Sequence, residues 1–469
     1  MLGIVAEEGK HINPNWIQYF TSNTVTLNGI NSNNSTPIKG PSVISNGNMI
    51  GAGYDYVTGA IQYFEQSFTG AYNYIKQISN PTSGDYPNHS AIDIMSDGTK
   101  IISGLGAGGQ GSDTKPHQII KISANGLSIV WNVALNDEWG TYPYIQWQTV
   151  DSSGNIYLLV NCNYGSATLG SALIKLNSSG SISWATKWLS EWSGTSTAFN
   201  TMGLQTDSSG NVYVTLANYG YFGKILKFNS LGVFQWQKNI EALNPYQTSP
   251  YINYVGQPTS MAIDSSGNVY VVGLVRINIP PSTTNSNTAV FLIKFDSSGN
   301  IIFNKMFNIA GTTTYVYNYT VDIFVKSSNI YLSCGTSYFV ALDLSGSVVY
   351  SRNISYSGYA LSLDSSNFSD YSNSFSIYCV PKPSSSTSLS NFYIRLPLDG
   401  SKLGTYSFGG YNLTYSDVTS SFVEVTPTNV KITGASISGQ QTASYSVSTG
   451  ATATISNVAI PALTQVTIN

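Results

Sequence analysis

One phrase recurs along this chain and constrains its fold more than any other feature. TVDSSGNIYLLV begins at Thr149, QTDSSGNVYVTL at Gln205 and AIDSSGNVYVVG at Ala262. Aligned on the residue two places after the Gly-Asn step, the copies bring Tyr157, Tyr213 and Tyr270 into register, 56 and 57 positions apart. Looser copies place Ile50, Ile101, Tyr331 and Tyr378 in the same slot, which makes seven copies across residues 41 to 410. Self-similarity at this period is the mark of a repeat architecture and must be read before anything else.

Each copy has a second half after a loop of variable length: IIKISANGLSIVW (Ile119 to Trp131), LIKLNSSGSISW (Leu173 to Trp184), ILKFNSLGVFQW (Ile225 to Trp236) and LIKFDSSGNIIF (Leu292 to Phe303). Fainter versions are ALDLSGSVVY (Ala341 to Tyr350) and IRLPLDGSKLGTY (Ile394 to Tyr406), with YIKQI at Tyr74 to Ile78 as the candidate in the first copy. Segments such as NVYVV and FLIKF are short, β-branched or aromatic, and bounded by Asp-Ser-Ser-Gly clusters, which is the strand and turn signature. Asp or Asn bonds its own backbone two residues on, and Gly takes the positive φ that closes a tight hairpin. Each repeat therefore predicts four strands, of the types SMAI, NVYVVG, FLIKF and NIIFN. The expected fold is all-β: a seven-bladed β-propeller of four-stranded blades, because one twisted sheet cannot bury both faces alone and packing blade on blade does so. The aromatic that closes each repeat (Trp131, Trp184, Trp236, Phe303, Tyr350 or Tyr406) is expected between neighbouring blades.

At 469 residues the chain could hold up to about three domains, but a large repeat fold stays single past that length. Only 9% of residues are charged, so solubility rests on hydroxyls and amides, while 33 Tyr, 18 Phe and 8 Trp argue against disorder. A net charge of -3 without Lys or Arg runs argues against nucleic acid as a partner. The N-terminus carries Glu7 and Glu8 and no apolar core, so no signal peptide is expected, and no apolar stretch approaches the roughly 20 residues that span a bilayer. No membrane partner is expected.

The search for chemistry yields no candidate catalytic, cofactor-binding or metal residue. GLGAGGQG (Gly104 to Gly111) matches a dinucleotide fingerprint, but Pro116 and a strand follow where that motif needs a helix, so it reads as a glycine loop. His11, His89 and His117 do not stand at ligand spacing; His89 and His117 fall just before strands, at blade rims. Asp151, Asp207, Asp264 and Asp296 each stand with Ser and Gly, short of the oxygen donors of a calcium loop, and read as turn formers. Cys162, Cys334 and Cys379 are too far apart for a disulfide framework and fit buried small side chains. No cofactor is expected.

Two resemblances rest on these residues. ILKFNSLGVFQW resembles the tryptophan-docking repeat of quinoprotein dehydrogenase propellers, with Gly232 and Trp236 in the matching places, but the calcium-linked acidic site and cysteine pair of those enzymes have no counterpart here. The closer similarity is to bacterial and phage propeller repeats reading D-S-S-G-N-V-Y-V-x-G and then I-K-x-N-S-x-G-x-x-x-W-x-K, matched at Asp207 to Val214 and Ile225 to Lys238. Such repeats in a Ser-, Asn- and Tyr-rich chain resemble those of tailed-phage virion proteins. That resemblance implies a non-enzymatic structural protein of the virion, a tail fibre, spike or capsid decoration that contacts the host surface. Its expected partners are other virion proteins, itself as a homo-oligomer, and host-surface glycans; its expected location is the virion, after synthesis in the host cytoplasm. The alternatives are a carbohydrate-binding propeller module, with Tyr and Trp of the loop rims stacked on sugars, and a quinoprotein-type dehydrogenase or lyase propeller.

The ends differ from the middle. Beyond Lys431 there is no charged side chain, and the segment alternates small polar and apolar residues. Alternation predicts strands, but so little bulk makes no core of its own. Residues 411 to 469 are thus expected to form a β-rich assembly arm that pairs with another chain or with the propeller's flank. Residues 1 to 40 are expected to form a β segment that either does likewise or closes the ring.

Overall fold

The computed structural model describes residues 16–20, 42–43, 48–55, 60–67, 72–79, 91–105, 117–136, 144–164, 168–189, 199–218, 223–242, 257–278, 286–309, 321–334, 338–356, 359–363, 369–371, 374–381, 392–408, 411–418, 422–424, 430–437, 440–450, 453–457 and 463–467. Every regular element among them is a β-strand. The fourth repeat shows how the sequence builds a sheet. Phe199–Thr206, Val212–Asn218, Gly223–Phe228 and Phe234–Ala242 run antiparallel in sequence order, each joined to the next by hydrogen bonds. The DSSG and NSLG clusters occupy the turns between first and second, and between third and fourth strands. In both turns the Gly N–H bonds back to the carbonyl of the leading residue, Asp207 or Asn229, and Gly210 and Gly232 take φ of 74° and 78°. That left-handed backbone is the reason glycine stands there.

The first strand of each sheet packs against the first strand of the next, from Ser42–Val43 through Ala91–Ile94, Tyr144–Val150, Phe199–Thr206 and Gln257–Ile263 to Val321–Lys326. Ser42–Val43 also packs against Ser369–Tyr371, so the series returns on itself. The architecture is a β-propeller. Apolar clusters lie between consecutive sheets; one joins Tyr213, Ile225 and Ile240 of the fourth to Val271, Phe291 and Met306 of the fifth.

Seven four-stranded blades were the expectation, and hydrogen bonding gives a different division: six sheets, five of them five-stranded and one of twelve strands. Two physical causes account for this. The last two repeats are bonded edge to edge through Ser355 with Ala360 and Tyr356 with Tyr359, which merges their strands into one sheet. The fifth strands come from the C-terminal segment. After Tyr411–Asp417 pairs with Val348–Tyr356, the chain lays Phe422–Glu424 on Ile301–Ile309 and Val430–Ala435 on Phe234–Ala242. It continues with Gln441–Thr442 on Ile182–Leu189, Ser446–Thr449 on Ile129–Asn136 and Thr454–Asn457 on Tyr72–Ser79. It thus travels backwards around the ring as a belt and adds one outer strand at each stop. Of the two pairings expected for this segment, the one with the propeller's own flank is present.

Two further assignments change. Tyr74 to Ile78 lies in a fourth strand, Tyr72–Ser79, and the third strand of that repeat is Ala60–Gln66. Gly404–Phe408 does not become the outer strand of the last repeat; it forms a hairpin with Tyr411–Asp417. Trp16–Phe20 fills that place instead, paired on one side with Phe392–Pro397 and on the other with Leu463–Thr467. Strands from the early and late parts of the sequence therefore meet in one ladder.

Removing residues 419 to 469 should lower the stability of the ring by more than about 3 kcal/mol, at roughly 1 kcal/mol net per ladder bond lost, and expose strand edges that bind a hydrophobic dye. Chemical denaturation of the truncated and full chains checks this. An unchanged midpoint would mean that the belt lies on the ring without holding it.

Candidate functional site

The side chains that recur from repeat to repeat converge on the junctions between sheets. At Asp151 the carboxylate Oδ1 accepts the backbone N–H groups of Ser153 and Asn155, and Oδ2 accepts the Asn155 amide at 2.8 Å and the Tyr157 hydroxyl at 2.9 Å. Asp207 repeats the arrangement with Asn211 and Tyr213, and Asp264 with Asn268 and Tyr270. The Tyr rings are fully buried, so their hydroxyls need such a partner. Burial alone would raise the Asp151 and Asp264 carboxyls, but these hydrogen bonds outweigh it and hold both below the ordinary carboxylate range. Burial, reinforced by the adjacent carboxylates, pushes the Tyr157, Tyr213 and Tyr270 hydroxyls well above the usual tyrosine value.

A lysine at the penultimate position of the apolar third strand in the second to fifth sheets completes the junction. The ammonium groups of Lys175, Lys227 and Lys294 sit 5.1, 5.2 and 4.9 Å from the ring centroids of Tyr157, Tyr213 and Tyr270, at cation–π range. Cross-strand register places Lys175 opposite Trp184, Lys227 opposite Trp236 and Lys294 opposite Phe303. The indole N–H groups of Trp131, Trp184 and Trp236 donate to the carbonyls of Ser178, Ser230 and Ser297, each in the third-to-fourth-strand turn of the next sheet. Lys227 donates to the same Ser297 carbonyl at 2.7 Å, so one turn oxygen is held by two side chains of its neighbour.

The glycine of that turn lies beneath the docking ring. A Cβ on Gly232 would stand 2.7 Å from the Trp184 ring, and one on Gly299 would stand 2.9 Å from Trp236. The same approach joins Tyr74 to Gly126, Trp131 to Gly180, Phe303 to Gly346 and Tyr350 to Gly400, giving six docked turns in series. Of the aromatics expected between blades, Trp131, Trp184, Trp236, Phe303 and Tyr350 take that place. Tyr406 does not; its hydroxyl bonds the Lys402 carbonyl of its own turn. Tyr74 belongs to the series and lacked a recognisable motif, since residues 67 to 71, which precede its strand, match none of the other repeats in sequence.

The first junction carries a charge reversal. Glu65 stands opposite Tyr74 where the second to fifth sheets have lysine, and Lys100 of the second sheet lies 3.5 Å from it in place of an apolar Ile or Val. Glu65 also accepts hydrogen bonds from Asn48, Asn73 and Tyr74, which together with Lys100 hold its carboxyl low against the opposing effect of burial. The two departures from the repeat compensate each other, as a buried charge requires.

This arrangement docks sheets and leaves little room for acid–base chemistry, because the carboxylates of Asp151, Asp207 and Asp264 each accept from four donors and that of Asp296 from three. Asp151, Asp207, Asp264 and Asp296 are turn formers as read from the sequence, and no group of three metal-ligating side chains occurs among the described residues. His117 opens the strand His117–Ile122 and is buried within it, inside the sheet instead of at the rim. Cys334 is buried, and burial raises its thiol far above the ordinary value. Cys162 and Cys379 lie within the strands Ile156–Tyr164 and Ser374–Pro381. His11, His89, Gly106 to Gly111 and most of the Tyr- and Trp-bearing loops fall outside the described residues.

No family model matches the chain, and no curated protein is similar to it by sequence. Solved structures similar in shape include the polysaccharide lyase Uly1, with 11% identity, a TM-score of 0.48, and coverage of 83% of this chain and 98% of that one. BamB from Moraxella catarrhalis has 12% identity and a TM-score of 0.37 over 77% of this chain and 83% of its own. The α-L-arabinanase of Penicillium chrysogenum has 9% identity and a TM-score of 0.39 over 82% and 98%. These likenesses concern the propeller fold alone. The expectation of a chain that is not an enzyme is corrected here: a lyase and an arabinanase stand among these neighbours, and that exclusion is withdrawn.

Replacing Trp184 by Phe, which keeps a ring but removes the bond to Ser230, should cost about 1 kcal/mol in denaturant unfolding; no loss would show that the indole N–H is not holding the turn. The Asp corners predict a pH dependence. Because Asp151 and Asp264 bind protons more weakly folded than unfolded, their stabilisation is present above an unfolded carboxyl value of about 3.9 and is lost as pH falls through the folded values. Thermal midpoints should therefore fall below about pH 4, and the fall should be shallower in Asp264→Asn. A variant with the parent's acid profile would contradict this.

Proposed function

We propose that this chain is a displayed binding platform of a tailed-phage particle, a tail fibre, spike or capsid decoration, that assembles with other virion proteins and with copies of itself and contacts host-surface glycan through one end of its ring. The observation that carries the reading is the two-ended construction of the sheets. The turns between first and second and between third and fourth strands are short and held by the Asp corners and docked aromatics. The connections between second and third strands, and from sheet to sheet, leave from the opposite strand ends. Their sequences carry Trp139, Tyr142, Trp192, Tyr221, Tyr246 and Tyr254, the residue types that stack on sugar faces. A rigid ring belted by its own C-terminal strand suits display outside a cell, and the repeat's similarity to virion propellers supports the same assignment.

The finer architecture belongs to this proposal: seven blades, with the twelve-stranded sheet counted as two. Six docked turns in series, from Tyr74 on Gly126 to Tyr350 on Gly400, join seven turn units. The strands Tyr359–Leu363, Ser374–Pro381 and Phe392–Pro397, completed by Trp16–Phe20, supply a blade of their own.

Mass spectrometry of purified particles together with a glycan array of the isolated chain tests the reading. The chain is expected as a particle component that binds polysaccharide of the host surface, with binding lost on replacing Trp139 and Trp192 by Ala. Absence from particles would overturn the virion role, and an array without binding would overturn the glycan contact.

A further inference from the structure

Eight of the nine strongly exposed large apolar side chains among the described residues share one place in the repeat. They stand in, or just after, the turn that leads into the strand following the third. Leu127 and Val130 mark the second sheet, Leu231 and Val233 the fourth, and Ile302 and Val349 the two repeats after it, with Leu231 73% exposed. These turns all lie at the docked end of the ring, so the side chains form a crown around one rim. The belt covers little of this rim: its ladders begin at Val133, Gln237, Phe307 and Arg352, beyond the crown in each fourth strand, and its Gln440 amide donates to the Gly232 carbonyl between Leu231 and Val233 without covering either side chain. Among the described residues the first residues of those strands have no ladder partner on that edge, and apolar side chains beside such an edge drive association.

We propose that two copies of this chain associate through this crown, docked rim against rim. The inference rests on the self-association proposed above and assigns it to a surface. The C-terminal segment, the other candidate, is consumed within its own ring. A crown carried by the same turn of the second, fourth, fifth, sixth and seventh repeats is matched by a surface with the same spacing, and a second ring has that surface. Its size is sufficient: about half the area of eight Leu, Ile and Val side chains is on the order of 800 Å² per copy, which is what one partner contributes to a standard stable interface. The Ser179, Ser181 and Ser183 segment of the third sheet interrupts the crown.

Sedimentation of the full chain over a range of concentrations, with Leu231→Asp/Ile302→Asp and Val130→Lys/Val349→Lys as crown variants and Thr454→Asp on the belt as control, tests this. The parent and control are expected as dimers, and both crown variants as monomers at concentrations where the parent is fully dimeric. All of these positions are exposed, and circular dichroism should show the parent's β spectrum in every variant; two variants on separate sheets guard against a fold defect in one. A monomeric parent would overturn self-association and the crown together. A dimer that survives both crown variants would overturn the crown alone.

Discussion

The structure depends on one repeated contact: an aromatic side chain of one sheet laid on the glycine of the next sheet's turn, with the polar tip of Trp131, Trp184, Trp236 and Tyr350 on a carbonyl of that turn. A propeller sheet has a small flank and no covalent link to its neighbour beyond the chain, so apolar area between sheets fixes proximity but not angle. A hydrogen bond from Trp184 to Ser230, or from Tyr350 to Leu398, fixes the angle because it has a direction. The Asp corner then holds the Tyr that supports the Lys, and the Lys reaches the same turn. A chain with few charges thus uses several of them in its joints.

Serial docking leaves one junction to be closed by the termini. Trp16–Phe20 joins the last strands to the beginning of the chain, and Leu463–Thr467 closes over it. Between these, the belt converts the half of each outer strand edge farthest from the docked turns into a paired one. The alternation of small residues in the belt follows from this position: one face lies on the ring, where Ala443 and Val430 are buried, while Ser446, Ser448 and Ser456 face solvent. Large side chains would have no room below and no reason above.

The strands, their order within a repeat, both tight turns and most docking aromatics were legible because each is local: alternation, an Asp-to-Gly spacing, an aromatic at a fixed offset. The lysine of LIKL, ILKF and LIKF was equally visible, a charge inside an apolar strand, and a buried role follows from that alone. The belt was not legible as a belt. Its strands could be read from alternation, but pairings such as Ala242 with Val430 or Ser79 with Thr454 join residues distant in sequence, and a polar strand fits many edges equally well. The Glu65 and Lys100 exchange escaped for the same reason, as each looks like a solvated charge until the two are adjacent.

The most direct measurement compares two glycines by denaturant unfolding. Gly232 has a φ of 78° and lies under Trp184, whereas a Cβ on Gly434, in the belt strand, meets nothing within 4 Å. If docked turns hold the ring, Gly232→Ala costs about 2 kcal/mol or more from strain and a displaced indole, and Gly434→Ala leaves stability unchanged or slightly higher. Equal effects at the two positions would contradict the account.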